Sequence, residues 1–172
     1  MVDGKRIDTS QHLTFTLGNE VFALDISSVR EVLQLTPITK IPRTPDFMCG
    51  VINLRGHAVP VINMRQKFGM DQTETTVDTC IIIVEVTFEG EHVIMGGLVD
   101  SVREVFEIKP EDMEAAPRMG TSINTEYIKG IGRQDGDFVI VLDIDCLFSS
   151  KELDVVREAS QSSATLGQEK AA

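Results

Sequence analysis

"SVREV" occupies Ser28 to Val32 and returns, letter for letter, at Ser101 to Val105. Five identical residues 73 positions apart pose a question about the whole chain, because the flanking segments repeat as well. Upstream of the first copy, "HLTFTLGNEVFALDI" (12–26) alternates apolar and polar residues on either side of Gly18-Asn19. Leu13, Phe15 and Leu17 share one face, and Phe22, Leu24 and Ile26 share another, a period of two that predicts a β-hairpin. Upstream of the second copy, "TCIIIVEVTFEGEHVIMGGLVD" (79–100) is a strand pair around Glu-Gly-Glu. Downstream, "FMCGVINLRGHAVPVINMRQKF" (47–68) and "YIKGIGRQDGDFVIVLDIDCLF" (127–148) align without a gap at an offset of 80. Gly50 then meets Gly130, Gly56 meets Gly136, Val59 meets Val139, Val61 meets Val141, and Phe68 meets Phe148. The offset grows by seven because the second connecting loop is longer, and insertions confined to loops mark a duplicated unit.

The repeat itself is ambiguous locally. Val29, Val32 and Leu33 have helical spacing behind a serine cap, which allows one short helical turn, while the β-branched valines equally permit a strand. Pro60 offers no N–H to a ladder, which places it on an edge strand or at a bulge. The glycines of "MGGLVD" point to a barrel corner or a close backbone approach. A third "VRE", at Val156 to Glu158, has neither hairpin beside it and is coincidence. It lies in "KELDVVREAS", read as a C-terminal helix leading into a mobile polar tail.

Each unit therefore offers about five short strands and almost no long helix. Five such strands commonly close into a small barrel, which limits exposed edges. A unit of 55 to 60 residues buries little core alone, so two should pack together and leave a groove between them. The expected fold is all-β: two pseudo-symmetric five-stranded barrels with short helices, the first over about 12–69 and the second over about 79–148. Residues 151–172 form the predicted helix and tail.

Composition narrows the function. The 172 residues carry 16 basic and 27 acidic side chains, a net charge of -11, which opposes binding to nucleic acid or anionic membrane. Hydrophobic residues make up 42%, with no tryptophan and one tyrosine, so the core is aliphatic. The start lacks the apolar segment of a signal peptide, and the longest apolar block, "CIIIV" (80–84), is far short of a membrane span. A cytoplasmic protein is expected. Cys49, Cys80 and Cys146 are too scattered for a disulfide framework or a Cys-x-x-Cys metal site. His12, His57 and His92 share no ligand spacing, so neither a metal nor another cofactor is expected.

No catalytic constellation stands out, and the expectation is a non-enzyme. Cys49 with His57 is the one nucleophile pair that stays open, set against an apolar strand that disfavours a reactive thiol. Asp143 and Asp145 could share a strand face as paired carboxylates, but a helix cap before "IDCLF" is the simpler account. Arg55 sits beside Gly56 at the tip of a predicted hairpin, and the equivalent tip of the second unit carries Asp135. The duplicated scaffold thus presents opposite charges at its two tips.

In order and spacing, "FTLGNEVFALDISSVREV", "IPRTPDFMCGVINLRG", "VPVINMRQKFG", "LVDSVREVFEI", "NTEYIKGIG" and "VIVLDIDCLF" resemble the CheW family of bacterial chemotaxis coupling proteins. The resemblance covers about residues 11 to 150. It implies two SH3-like barrels and a non-catalytic adaptor that links chemoreceptor cytoplasmic signalling tips to the regulatory domain of the histidine kinase CheA, recruited to membrane-associated receptor arrays. A kinase-binding surface would involve Val29 and Glu31, the Asn53-Leu54-Arg55-Gly56 tip with Gly50, and, in the second unit, Gly130 and Gly132. A receptor-binding groove would lie between the barrels, near the strands that hold Ile81 and Val99. With no receiver domain in the sequence, the related CheV proteins fit less well. A coupling protein of another receptor–kinase pathway, serving pili or development, carries the same residue chemistry.

Overall fold

The computed structural model describes residues 11–71, 74–88, 90–115 and 127–147. The C-terminal helix and tail expected beyond residue 150, and Phe148, lie outside that range. Among the described residues ten strands and two one-turn α-helices follow one another: β1 (Gln11–Leu17), β2 (Glu20–Asp25), β3 (Val29–Gln34), β4 (Met48–Leu54), β5 (His57–Asn63), α1 (Met64–Lys67), β6 (Cys80–Phe88), β7 (Glu91–Val99), β8 (Ser101–Glu107), β9 (Ile128–Gln134), β10 (Asp137–Leu142) and α2 (Ile144–Leu147). In the first "SVREV" copy Val29 to Val32 are strand, and Ser28 closes a 3-10 turn at Ile26–Ser28. The valines that left a helical reading open are accommodated by pairing with β6.

The strands form two five-stranded sheets, ordered β8-β1-β2-β10-β9 and β3-β6-β7-β5-β4. This corrects the expected boundaries. One barrel is continuous in sequence, β3 to β7, and is inserted into the other, which is split between β1-β2 and β8-β10. The chain crosses between them at Ile26–Ser28 and returns at Asp100, immediately before each "SVREV". Exchange of the β1-β2 and β6-β7 hairpins explains the difference: each hairpin pairs with the three strands of the other repeat. The pairing is parallel where β2 meets β10 and where β7 meets β5, Ala23 opposite Val141 in one and Gly96 opposite Val61 in the other. Both "SVREV" copies carry a bulge in their pairing, between Val29 and Glu31 against β6 and around Arg103-Glu104 against β1. In the split barrel Thr14 Oγ1 fills that bulge, donating to the Glu104 carbonyl at 2.7 Å and accepting from the Glu104 N–H at 3.2 Å.

Closure of each barrel uses equivalent residues. After β3 the chain swings across to β4, where Thr39 and Val51 exchange two backbone hydrogen bonds of 2.9 Å. After β8 it reaches β9, where Glu114 and Ile131 do the same at 2.9 and 2.7 Å. Pro60 lies in β5, an interior strand, one residue before the β7 ladder begins at Val61. That position leaves its missing N–H outside the ladder with β7.

Three apolar clusters follow from the repeat. Val59 and Val61, with Ile52, Ile81 and Ile83, fill the inserted barrel; Val139 and Val141, with Ala23 and Ile108, fill the split one. A larger cluster lies between the barrels and draws Leu13, Phe15, Phe22 and Leu24 from one and Met64, Phe68, Ile82 and Val84 from the other. "CIIIV" is therefore apolar without alternation because β6 is buried on both faces. The Phe15, Phe22 and Phe68 rings stack in series across this junction at 5.7 and 5.5 Å. Lys67 places its ammonium 5.0 Å from the Phe47 ring and 5.1 Å from the Tyr127 ring, the aromatic mates of the two repeats. Burial pulls its pKa down to about 8.

Arg65 and Asp100 join the barrels by charge. The Arg65 fork donates to Asp100 from Nε at 2.8 Å and from Nη2 at 2.6 Å. The Asp100 carboxyl is held below its usual range by that fork and by the Gly18 N–H, which outweigh burial. A carboxylate with a lowered folded pKa stabilises above its unfolded pKa of about 3.9 and loses that contribution as pH falls through the folded value. Asp100→Asn is thus expected to lower the urea midpoint at pH 7. The difference from the parent chain should shrink steadily once the pH drops below about 4. Urea titrations of both chains from pH 7 to pH 2.5 check this, and a pH-independent difference contradicts it.

Candidate functional site

The β4-β5 hairpin ends in a two-residue turn with φ of 52° at Arg55 and 85° at Gly56. Positive φ at both central residues is the type I′ geometry whose twist suits a hairpin. The β9-β10 tip repeats it at Asp135 (52°) and Gly136 (85°). Asn53 Oδ1 accepts the Gly56 N–H at 2.8 Å and locks the first tip from within. Arg55 is a non-glycine residue in the left-handed region, an uncommon state that surrounding contacts must sustain.

The Arg55 side chain meets Glu31. Arg55 donates from Nη1 to Glu31 Oε2 at 2.8 Å and from Nη2 to Oε1 at 3.0 Å, a fork-to-fork pair. The bulge at Arg30 directs Glu31 toward the hairpin tip from the opposite edge of the sheet. The Arg55 hydrogen bonds hold the Glu31 carboxyl below its usual range, outweighing desolvation, and Glu31 in turn raises the Arg55 pKa. Both stay charged through neutral pH. The side chains are 70% and 29% exposed, so the pair is a surface feature with a fixed geometry. Val32, on the opposite face of β3, is 40% exposed, and Leu35, just past the strand, is 39% exposed. Arg30 meanwhile pairs with Glu85 on the neighbouring β6.

The equivalent place in the split barrel is built differently. Glu104, the mate of Glu31, accepts from Gln134 Nε2 at 3.2 Å. Arg133 pairs with Glu114 at 2.9 Å and lies 5.5 Å from the ring centroid of Phe138, which is 61% exposed. Val105, mate of Val32, is 43% exposed. Phe138 and these partners were not singled out from sequence; an aromatic residue at the polar mouth of a hairpin was the available signal.

The other expected site residues divide sharply. Asn53 and Gly56 are exposed and Leu54 half-buried, all at the tip. Val29 is half-buried and packs against the cluster between the barrels. Gly50, Gly130 and Gly132 are buried, and the reason is steric. A Cβ on Gly50 would sit 2.1 Å from the Thr39 carbonyl oxygen; on Gly130, 2.5 Å from Met113 Cγ; on Gly132, 3.1 Å from Ile108. These glycines permit barrel closure and offer no surface to a partner. Ile81 (0% exposed) and Val99 (2%) are core residues of the inserted barrel and of the inter-barrel cluster, so neither makes a direct contact in this conformation.

Asp143 Oδ1 accepts from the Asp145 and Cys146 N–H groups, the cap reading rather than a carboxylate pair. Among the described residues no three His, Cys, Asp or Glu side chains gather as a metal site. Cys49 lies beside Gly50, which pairs with Val61, whereas His57 faces Leu54 at the tip. The strand rise separates them by roughly 15 Å, which rules out a nucleophile–base pair. Burial pushes the Cys49 thiol up to about 11. Iodoacetamide at pH 7.5 is expected to alkylate exposed Cys146 while leaving Cys49 unmodified in the folded protein, as read by peptide mass spectrometry. Fast labelling of Cys49 contradicts the geometry.

Two closed barrels with oriented side chains on exposed edges form a scaffold for protein contacts. The chain's comparisons agree. The CheW-like domain matches residues 11–152. The chemotaxis protein CheW of Klebsiella aerogenes is 36% identical over 152 residues, covering 88% of this chain and 89% of that one. The CheW of Treponema pallidum is 34% identical over 143 residues, 83% of this chain and 84% of the relative. The crystal structure of the scaffolding protein TtCheW from Thermoanaerobacter tengcongensis superposes with a TM-score of 0.75 at 35% identity, over 88% of this chain and 95% of that one. The chain belongs to the CheW family and is a chemotaxis coupling adaptor.

Proposed function

We propose that this adaptor couples chemoreceptor signalling tips to the histidine kinase CheA without catalysing a reaction itself, and that the Glu31–Arg55 tip is its kinase-binding face. The observation that carries this reading is the bidentate pair on a locked type I′ turn, 70% exposed at Arg55. A charged fork held in one geometry on an exposed turn is suited to selecting a partner by complementary charge. Asn53, Leu54 and Gly56 belong to this face as the turn that aims Arg55. The buried Gly50, Gly130 and Gly132 support it from beneath by letting the barrels close.

The receptor tip is assigned to the groove between the barrels. Ile81 and Val99 act there through the strand positions they set, not through contact. No helix among the described residues is long and apolar enough to cross a membrane. As a coupling adaptor the protein works in the cytoplasm, drawn to membrane-associated receptor arrays by its partners. Titration calorimetry of the full chain against the kinase regulatory domain and against a receptor signalling-tip fragment tests the proposal. Binding to both is expected; binding to neither overturns it.

A further inference from the structure

We propose that the Arg65–Asp100 pair is the orienting contact between the two barrels and sets the angle at which the Glu31–Arg55 face stands relative to the split barrel. Arg65 belongs to α1, at the end of the inserted barrel. Asp100 occupies the crossover back to the split barrel, where its own N–H donates to the Thr16 carbonyl at 3.1 Å. The same carboxylate accepts the Gly18 N–H at 2.7 Å, at the turn of the β1-β2 hairpin. Arg65 also donates from Nη1 to the Asp71 carbonyl at 2.8 Å, fixing the guanidinium from behind. The Asp100 carboxylate, clamped by Arg65 of the inserted barrel, thus ties the crossover to the exchanged hairpin of the split barrel.

The location is one the fold uses twice. Residue 145 of α2 corresponds to Arg65, and Asp145 Oδ1 accepts the Thr87 N–H at 3.0 Å, near the end of the other exchanged hairpin. At this second place a side chain of the split barrel reaches the backbone of the inserted barrel, whereas Arg65 reaches across to a side chain, the Asp100 carboxylate. The inter-barrel cluster supplies most of the burial, but apolar contact is non-directional and tolerates small rotations. Short charge-assisted hydrogen bonds in a fork geometry do not. The Arg65 and Asp100 side chains are only 17% and 24% exposed, so solvent screens them weakly.

The consequence for partners rests on the function proposed above, while the orientation itself is measured without any partner. Residual dipolar couplings on the full chain report the alignment of each barrel. In the parent chain one alignment tensor is expected to fit both. In Arg65→Met two tensors are needed, differing by on the order of 10°, with amide spectra inside each barrel unchanged. Arg65→Lys, which keeps charge without the fork, and Asp100→Asn, which keeps an acceptor for Gly18, should show smaller rotations and guard against a variant that fails to fold. A single tensor in folded Arg65→Met overturns the inference. Binding then separates the two readings. Each partner alone should bind Arg65→Met within about twofold of parent, while formation of the three-component complex falls about tenfold. An equal loss of each binary affinity assigns the pair a merely local role and also overturns the inference, whereas a parent chain that binds no partner overturns only the function.

Discussion

Arg55→Glu lowers affinity for the kinase regulatory domain by more than about tenfold, and leaves the thermal midpoint within about 2 °C of parent. The substitution places two carboxylates, Glu31 and the new one, where a fork-to-fork pair now stands. Folding is spared because the pair is surface-exposed and screened, while a partner meeting that face encounters reversed charge. The reciprocal Glu31→Arg with Arg55→Glu restores opposite charges and should recover part of the affinity. Calorimetry for binding and differential scanning for stability read the two effects separately. Unchanged affinity in Arg55→Glu removes this tip from the interface.

Gly50→Ala produces the opposite pattern, a large loss of stability. The added Cβ would lie 2.1 Å from the Thr39 carbonyl oxygen and 2.9 Å from Ile38 Cγ2, at a backbone φ of 142° that L side chains rarely adopt. Relief requires giving up the two Thr39–Val51 hydrogen bonds that close the inserted barrel. Two such bonds together with the strain are worth about 3–4 kcal/mol, or roughly 10 °C in thermal midpoint for a chain of this size. Gly56→Ala is the control. Gly56 has a φ of 85° but nothing within 4 Å of its Cβ, so only the backbone strain of about 1 kcal/mol remains. Denaturant unfolding of both variants compares the two sites, and equal losses would contradict the closure role of Gly50.

The strands themselves were legible because alternation and turn residues are local properties. Val59/Val139 and Val61/Val141 announced the duplication, and those pairs line the two barrel interiors. Strand partnership was not legible. Periodicity reports which residues are buried and is silent about which barrel buries them, so the exchange of hairpins could not be read from Leu13, Phe15 and Leu17. The site divides along the same physical line. Arg55 and Glu31 were identified as members of one surface, and the fork geometry that unites them depends on a bulge at Arg30 that no pattern of residue types encodes. Glycines grouped with that surface by resemblance, Gly50, Gly130 and Gly132, proved to be places where another chain segment passes close. Arg65 and Asp100 were overlooked because they lie 35 residues apart and join only once the chain has crossed between barrels.

The insertion of one barrel within the other also sets an order of events during synthesis. The inserted barrel has all its strands once β7 has emerged, since β3 to β7 are consecutive. The β1-β2 hairpin emerges first yet must wait for β8, β9 and β10 before its two open edges are paired. Through that interval, Leu13, Phe15, Phe22 and Leu24 can bury their apolar face only against the already completed neighbour. The cluster between the barrels is then a template, formed on one side before the other exists, and a hairpin made before the inserted barrel finds its sheet only after it.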